Sequence, residues 1–224
     1  MENYISFQNI ELTYYTKTQR IPIFKDLNLT IDKGEFVCLY GPSGMGKSSL
    51  LNMVSGFVKP NSGKITIDNT EINKMHDKEL CNFRNKKIGY IFQAFNLIPQ
   101  FNVRQNIAVP LTIAKLDKKE IEPCIDELLE RVGINNRQRE YPNTLSGGEQ
   151  QRVAIARAIA NSPDIILADE PTGNLDKKNG QNIIQMLKEL NDEGNTVIAV
   201  SHDSSLIELA EKTIDVEAIS NVAN

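Results

Sequence analysis

The chain has 224 residues, 40% apolar and 24% charged, which suits a soluble globular fold able to bury roughly 70% of its unfolded surface. Its formal charge of −4 argues, though weakly, against a nucleic-acid binder, which would usually show a basic stripe, so no nucleic-acid partner is expected. No apolar run reaches the ~20 residues that cross a bilayer, and MENYISFQNIELTYY has no signal-peptide pattern, so any membrane part is expected on another chain.

The first forty residues read as strands: ISFQNIEL and IPIFKDLNLTI alternate before an Asp32-Lys33-Gly34 turn. EFVCLY is a continuous β-prone apolar run, which suits a strand buried on both faces, with Cys38 as core packing. It enters GPSGMGKSSLLNMVSG, a glycine-rich turn and then a short helix that stops at Gly56. KITI and KIGYIF read as further strands. Between Asp117 and Gly133, Ile121, Ile125, Leu128, Leu129 and Val132 share one helical face behind an Asp117/Glu120 capping box. Pro123 interrupts that pattern and predicts a later start or a kink. Gly147 to Ala160 is a second helix, ended by Asn161-Ser162-Pro163. DIILADE is a buried strand ending in acids, and a helix over Gln181 to Leu190 leads to the strand TVIAVS. The β-α-β alternation calls for a mostly parallel sheet with helical crossovers, and residues from about 94 to 158 read as a helical insertion into it. Cys38, Cys81 and Cys124 form no CxxC and no even framework, so they read as reduced thiols of a cytosolic protein.

Gly41, Gly46, Lys47 and Ser48 fit G-x-x-x-x-G-K-[ST], placed between a buried strand and a helix as a phosphate loop requires. Glycines let successive N–H groups of Gly41, Ser43, Gly44, Met45 and Gly46 curl around a phosphate, while Pro42, which has no N–H, contributes only to the fold of the loop. The helix dipole adds attraction, Lys47 reaches the β- and γ-phosphates, and the Ser48 hydroxyl ligates Mg²⁺. Asp169 ends IILAD at a strand's carboxyl end, the position of a carboxylate that supports Mg²⁺ in a phosphate-loop ATPase. Glu170 follows at once and is suited to polarise a water for in-line attack on the γ-phosphate. A second anion site is written in LSGGEQQR, where Ser146 and the N–H groups of Gly147 and Gly148 open an Ala-rich helix.

Together, GPSGMGKS, LSGGEQQR, the Asp169-Glu170 pair and GNLD closely resemble the ATP-binding-cassette ATPases over nearly the whole chain. The resemblance implies one cassette domain over residues 1–224: a phosphate-loop α/β core at 1–93 and 159–224, an N-terminal antiparallel β subdomain and an inserted helical subdomain. It also implies ATP and Mg²⁺ as cofactors and a homodimer in which each signature, Ser146 to Gly148, caps the ATP on the partner's phosphate loop. Two phosphate cradles in one chain are then halves of two composite sites. The same resemblance makes Gln93 the glutamine that approaches Mg²⁺ and the attacking water and links to the membrane subunit. Asp176 becomes the aspartate crossing the dimer interface, and His202 the switch histidine on the γ-phosphate. Tyr14, with Tyr15 as the neighbouring register, matches the aromatic that stacks on adenine.

PTGNLD, FQAFNLIP and YPNTLSGGEQQRVAIARA look most like the lipoprotein-release and macrolide-exporter group, which implies an ATPase on the cytoplasmic face of a membrane, bound to an integral permease near the Q-loop, Ala94 to Arg104. Met45 stands where a small residue is usual, but contributes backbone; Ser49 stands where Thr is common, one place after the Mg²⁺ ligand. The tail KTIDVEAISNVAN lacks the usual Asp-Gly hairpin, which leaves the last strand open. A non-transporting cassette, controlling cell-wall enzymes or scaffolding iron–sulfur assembly, is the second reading.

Overall fold

The computed structural model describes residues 3–222. Two sheets organise the chain. The first is antiparallel, of β1 (Asn3–Tyr15), β2 (Arg20–Asp32), β4 (Ser62–Ile67) and β5 (Thr70–Glu71), in the order β2-β1-β4-β5. Register shifts at Phe7/Ile10 and Leu12/Thr13 bend the long β1–β2 pair, as bulges do. The second sheet is parallel, of β3 (Phe36–Tyr40), β6 (Ile88–Ile91), β7 (Ile165–Asp169), β8 (Thr196–Val200) and β9 (Lys212–Asp215), in the order β6-β7-β8-β3-β9. The fold class is therefore the α/β arrangement, with an antiparallel subdomain, that the motifs implied.

The parallel strands are buried on both faces, and the period of two distributes their side chains between two cores. Phe36 and Cys38, Ile166 and Ala168, Val197 and Ala199 join the core under α3 to α6. Val37 and Leu39, Ile165 and Leu167, Ile198 and Val200 face the other core, between α1 and the antiparallel sheet. Cys38 is fully buried in the first of these cores, and burial pushes its thiol up to about 11, which leaves it an inert packing group.

The helices are α1 (Lys47–Val54), α2 (Asp77–Lys87), α3 (Val103–Ile113), α4 (Lys118–Arg131), α5 (Gly147–Ile159), α6 (Lys177–Asp192), α7 (Ser204–Leu209) and α8 (Val216–Ser220). Between β6 and β7 the chain is helical: α3 packs on α5 and α4, and α5 packs back on β6. The longer helices α4 and α6 bury apolar stripes; in α6 this is Ile183, Ile184, Leu187 and Leu190, each worth about 1.5–3 kcal/mol when fully buried.

Two sequence expectations change. α4 starts at Lys118, not after Pro123: Asp117 and Glu120 form the expected box, with the Asp117 N–H donating to Glu120 Oε2 at 3.0 Å. That box and the buried Ile121 and Ile125 outweigh the one hydrogen bond lost at Pro123. The last strand, left open above, forms as β9, pairing Val37↔Lys212 to Tyr40↔Asp215 at the edge of the parallel sheet. Ala223 and Asn224, the end of the tail in question, lie outside the described residues. α2 and α3 are helices that the periodicity reading did not name, and α6 begins at Lys177, ahead of the Gln181 start that it gave.

Candidate nucleotide site

β3, β8 and β7 are neighbours in one parallel sheet, so the groups at their carboxyl ends converge. From β3 comes the phosphate loop. Gly41, Gly44 and Gly46 hold φ of +135°, +85° and +94°, the left-handed region that turns N–H groups inward. At Gly46 the demand is also steric: a Cβ would lie 2.5 Å from Ile23 Cγ2 and 2.9 Å from Phe24 Cζ. Pro42, Ser43 and Met45 complete the loop between those glycines, with Ser43 and Gly44 exposed.

Lys47 opens α1 with only 6% of its surface exposed, and its Nζ donates to the carbonyls of Gly41 at 2.7 Å and Pro42 at 2.8 Å. A buried ammonium held only by neutral carbonyls is under-compensated, and an anionic phosphate in the loop suits it better. One residue on, the Ser48 hydroxyl donates to Asp169 Oδ1 at 3.1 Å. Desolvation, reinforced by the adjacent Glu170 charge, pushes the Asp169 carboxyl up against the lowering effect of the Ser48 bond. A hydroxyl and two crowded carboxylates make a hard oxygen donor set, which fits Mg²⁺.

Glu170 takes φ +45°, a strained conformation for a non-glycine residue that costs about 1–3 kcal/mol and is held by its N–H donating to the Val200 carbonyl at 3.0 Å. His202, just past β8, brings Nε2 to 3.5 Å from Glu170 Oε1. The two line a cleft of about 240 Å³ with Gly173, Ser201 and Asp203. Gln93 follows β6, and its carbonyl accepts from Asn174 Nδ2 at 2.8 Å. A Cβ at Gly173 would meet Glu170 Oε2 at 3.4 Å and Gln93 Nε2 at 3.5 Å, so those two side chains flank one point. Tyr14 places its hydroxyl 3.2 Å from Ser49 Oγ on α1, beside the loop, whereas Tyr15 is 68% exposed.

The second cradle stands on a different helix, α5. Ser146 caps α5 and is exposed; its N–H and hydroxyl both donate to Glu149 Oε2 at 2.8 Å, closing a capping box. Those two Ser146 bonds, then Arg137, hold the Glu149 carboxyl below its ordinary range. Gly147 and Gly148 lie against the stretch after Glu170: a Cβ at Gly147 would touch Leu175, and one at Gly148 would come 2.7 Å from Asn179 Cγ. Asp176 is the N-cap of α6, accepting from the Asn179 N–H at 3.0 Å. The structure thus gathers Lys47, Ser48, Asp169, Glu170, Gln93 and His202 at one sheet end, and gathers Ser146, Gly147, Gly148 and Asp176 on a neighbouring surface led by α5 and α6.

The ABC transporter family model matches residues 24–173, from β2 through the phosphate loop and α5 to Gly173. The chain belongs to the ABC transporter family. This ABC cassette is 42% identical over 210 residues to the ABC transporter ATP-binding protein YvrO of Bacillus subtilis, covering 94% of the chain and 92% of the relative. It is 45% identical over 215 residues to MJ0796 of Methanocaldococcus jannaschii, with the same shares. Two solved structures of MJ0796, one titled as a dimeric ABC transporter cassette and one as a dimeric post-hydrolysis state bound to ADP and Pi, superpose with TM-score 0.88. They are 42% and 41% identical, and the match covers 95% of both chains in each case. The protein is accordingly an ATPase of the ABC type.

Some parts of the cassette's site escape motif reading. Arg157, on α5, donates from Nη1 to the Asn96 carbonyl at 2.6 Å and from Nη2 to the Phe95 carbonyl at 2.7 Å. Phe95 and Asn96 hold φ of +59° and +49°, so this half-buried guanidinium fixes a strained turn just after Gln93. Beside that turn runs a groove of about 440 Å³, lined among others by Phe57, Arg84, Tyr90, Phe92, Asn96 and Ile98. Tyr90 stacks on Phe92 at 4.2 Å, Arg84 sits 4.9 Å over the Phe57 ring, and Phe57 is 53% exposed. The family resemblance pointed to a groove near the Q-loop, but neither the Arg157 contacts nor the residues Phe57 and Arg84 could be read in advance, because they come from segments far apart in the chain.

Proposed function

We propose that this chain is the ATP-hydrolysing subunit of a membrane transporter, working as a pair of copies closed around two ATP molecules. The observation that carries the pairing is the placement of Ser146 at the exposed N-terminus of α5, its hydroxyl engaged only within its own capping box, on a helix distinct from the phosphate loop. A helix N-terminus with free N–H groups suits the γ-phosphate presented by a second copy, and the dimeric state of MJ0796 supports a pairing of copies.

In this reading the loop from Gly41 to Gly46 cradles the phosphates, Lys47 exchanges its carbonyl partners for β- and γ-phosphate oxygens, and Tyr14 supports the adenine with Ser49 beside it. Ser48 and Asp169, with Gln93 nearby, would hold Mg²⁺, which neutralises charge on the triphosphate when bound. Glu170 orients the attacking water and accepts its proton. His202, 3.5 Å from Glu170, contacts the γ-phosphate and keeps the carboxylate aimed. Ser146, Gly147 and Gly148 close the site from the partner, and Asp176 lies at the shared interface.

The aromatic groove beside the Q-loop is the surface for an integral permease, with part of Ala94 to Arg104 along its edge, and a helical subdomain of about residues 94–158 would carry the motion between the two. The group suggested by PTGNLD, that of lipoprotein release and macrolide export, points to export or to force transmission across the membrane, with the ATPase peripheral on the cytoplasmic face. Among the described residues no helix is long and apolar enough to cross a membrane, so the spanning part falls to the partner. Tagged protein purified from detergent-solubilised membranes should bring down a polytopic membrane protein that stimulates its ATPase. Recovery only as a membrane-free pair would favour the non-transporting cassette.

A further inference from the structure

Gln151 lies on α5, two residues beyond the signature capping box, with 1% of its surface exposed. Its Nε2 donates to the Pro171 carbonyl at 3.0 Å, while its Oε1 is a buried acceptor with no partner among the described residues. Turning the amide over would set two carbonyl oxygens face to face, so the orientation is fixed by the Pro171 bond. An unpaired buried acceptor lowers stability, and an apolar residue of the same shape would avoid the loss. The side chain is thus better matched to the Pro171 carbonyl than to core packing.

That carbonyl occupies a particular place. Glu170 to Gly173 form a β-turn, closed by the Gly173 N–H donating to the Glu170 carbonyl at 3.1 Å. Pro171 carries the carbonyl of the turn's middle peptide, and Thr172 keeps negative φ. Flipping that peptide converts a type I turn to type II and demands positive φ at Thr172, a β-branched residue. We propose that Gln151 is a positioning residue for hydrolysis: by holding the Pro171–Thr172 peptide it fixes the turn from which Glu170 is aimed. Resting on the two-copy reading above, Gln151 joins the helix whose N-terminus serves one ATP to the turn whose Glu170 serves the other.

Gln151→Met removes the donor and keeps the volume. Its kcat should fall roughly five- to tenfold, the effect of one neutral hydrogen bond, with KM for ATP and thermal melting near wild type. In a Glu170→Gln background the same change should add nothing, because Gln151 acts through Glu170. An unchanged kcat, or an equal fall in both backgrounds, overturns the proposal. Where Met disturbs the fold, Gln151→Glu provides a pH readout: its protonated carboxyl can donate and its carboxylate cannot, so activity relative to wild type should rise as pH falls. A ratio independent of pH overturns it as well. An active wild-type enzyme with an indifferent Gln151 sinks this inference alone, whereas a wild-type chain without ATPase activity sinks the underlying reading.

Discussion

His202 holds its Nε2 3.5 Å from Oε1 of Glu170, the two carried from the ends of adjacent parallel strands. Because β7 and β8 are in register to Asp169↔Val200, the strand ends bring the two residues side by side, and the turn after Glu170 sets its aim. Glu170→Gln keeps the shape and the strained backbone while removing the base. ATP binding should persist while hydrolysis falls roughly 10²- to 10⁴-fold in a phosphate-release assay. Undiminished turnover would remove Glu170 from the chemistry.

Ser146→Arg fills the exposed α5 terminus with a bulky cation and breaks the box with Glu149. Single copies should bind nucleotide as before, because Lys47 and Ser48 lie on α1. Light scattering of the Glu170→Gln, Ser146→Arg double variant with Mg²⁺ and ATP should report one copy, against two for Glu170→Gln alone. A variant that still pairs would refute the cross-chain role of the signature.

The phosphate loop offers an internal control. Gly44 and Gly46 share the left-handed region, yet a Cβ at Gly44 meets nothing within 4 Å, whereas one at Gly46 collides with Ile23 and Phe24. Gly44→Ala should carry only the conformational penalty, about 1–2 kcal/mol. Gly46→Ala should add the clash, lower the melting temperature further and abolish nucleotide binding. Equal effects of the two would mean that the packing against β2 does not shape the loop.

Acid should act on the signature cap. The Glu149 carboxyl is held low first by the Ser146 N–H, then by the Ser146 hydroxyl and Arg137. A depressed carboxyl stabilises the fold above its unfolded value, ordinarily 4.5, and that contribution is lost as pH falls through the folded value. The melting-temperature gap between wild type and Glu149→Gln should therefore be positive at pH 7 and vanish in acid. A gap that does not shrink as pH falls below 4.5 would mean the box is held by other bonds.

What could be read from the chain and what could not divides along contact distance. Gly46, Lys47 and Ser48 are contiguous, and their local backbone dictates their use, so the loop was legible. Asp169 and His202 were legible because a strand end fixes where a side chain emerges. Gln151 and Arg157 were not, since their partners Pro171 and Phe95 lie 20 and 62 residues away and carbonyls leave no mark in sequence. Pro123 misled because a local rule was applied without the Asp117 box and the buried Ile121 face that outweigh it. β9 was doubted for want of a hairpin, but an edge strand in a parallel sheet needs only a neighbour, here β3.

Arg157 and Ser146 occupy opposite ends of α5, a helix of 13 residues and so about 20 Å long. With Arg157 gripping the turn after Gln93, a push on that turn tilts the whole rod about its packed middle. A tilt of about 10° about that middle sweeps each tip through about 2 Å, enough to stretch a hydrogen bond well past its ordinary ~3 Å. A nudge against the groove at one end is thereby large enough to seat or release an anion at the other, with no part of the helix needing to bend.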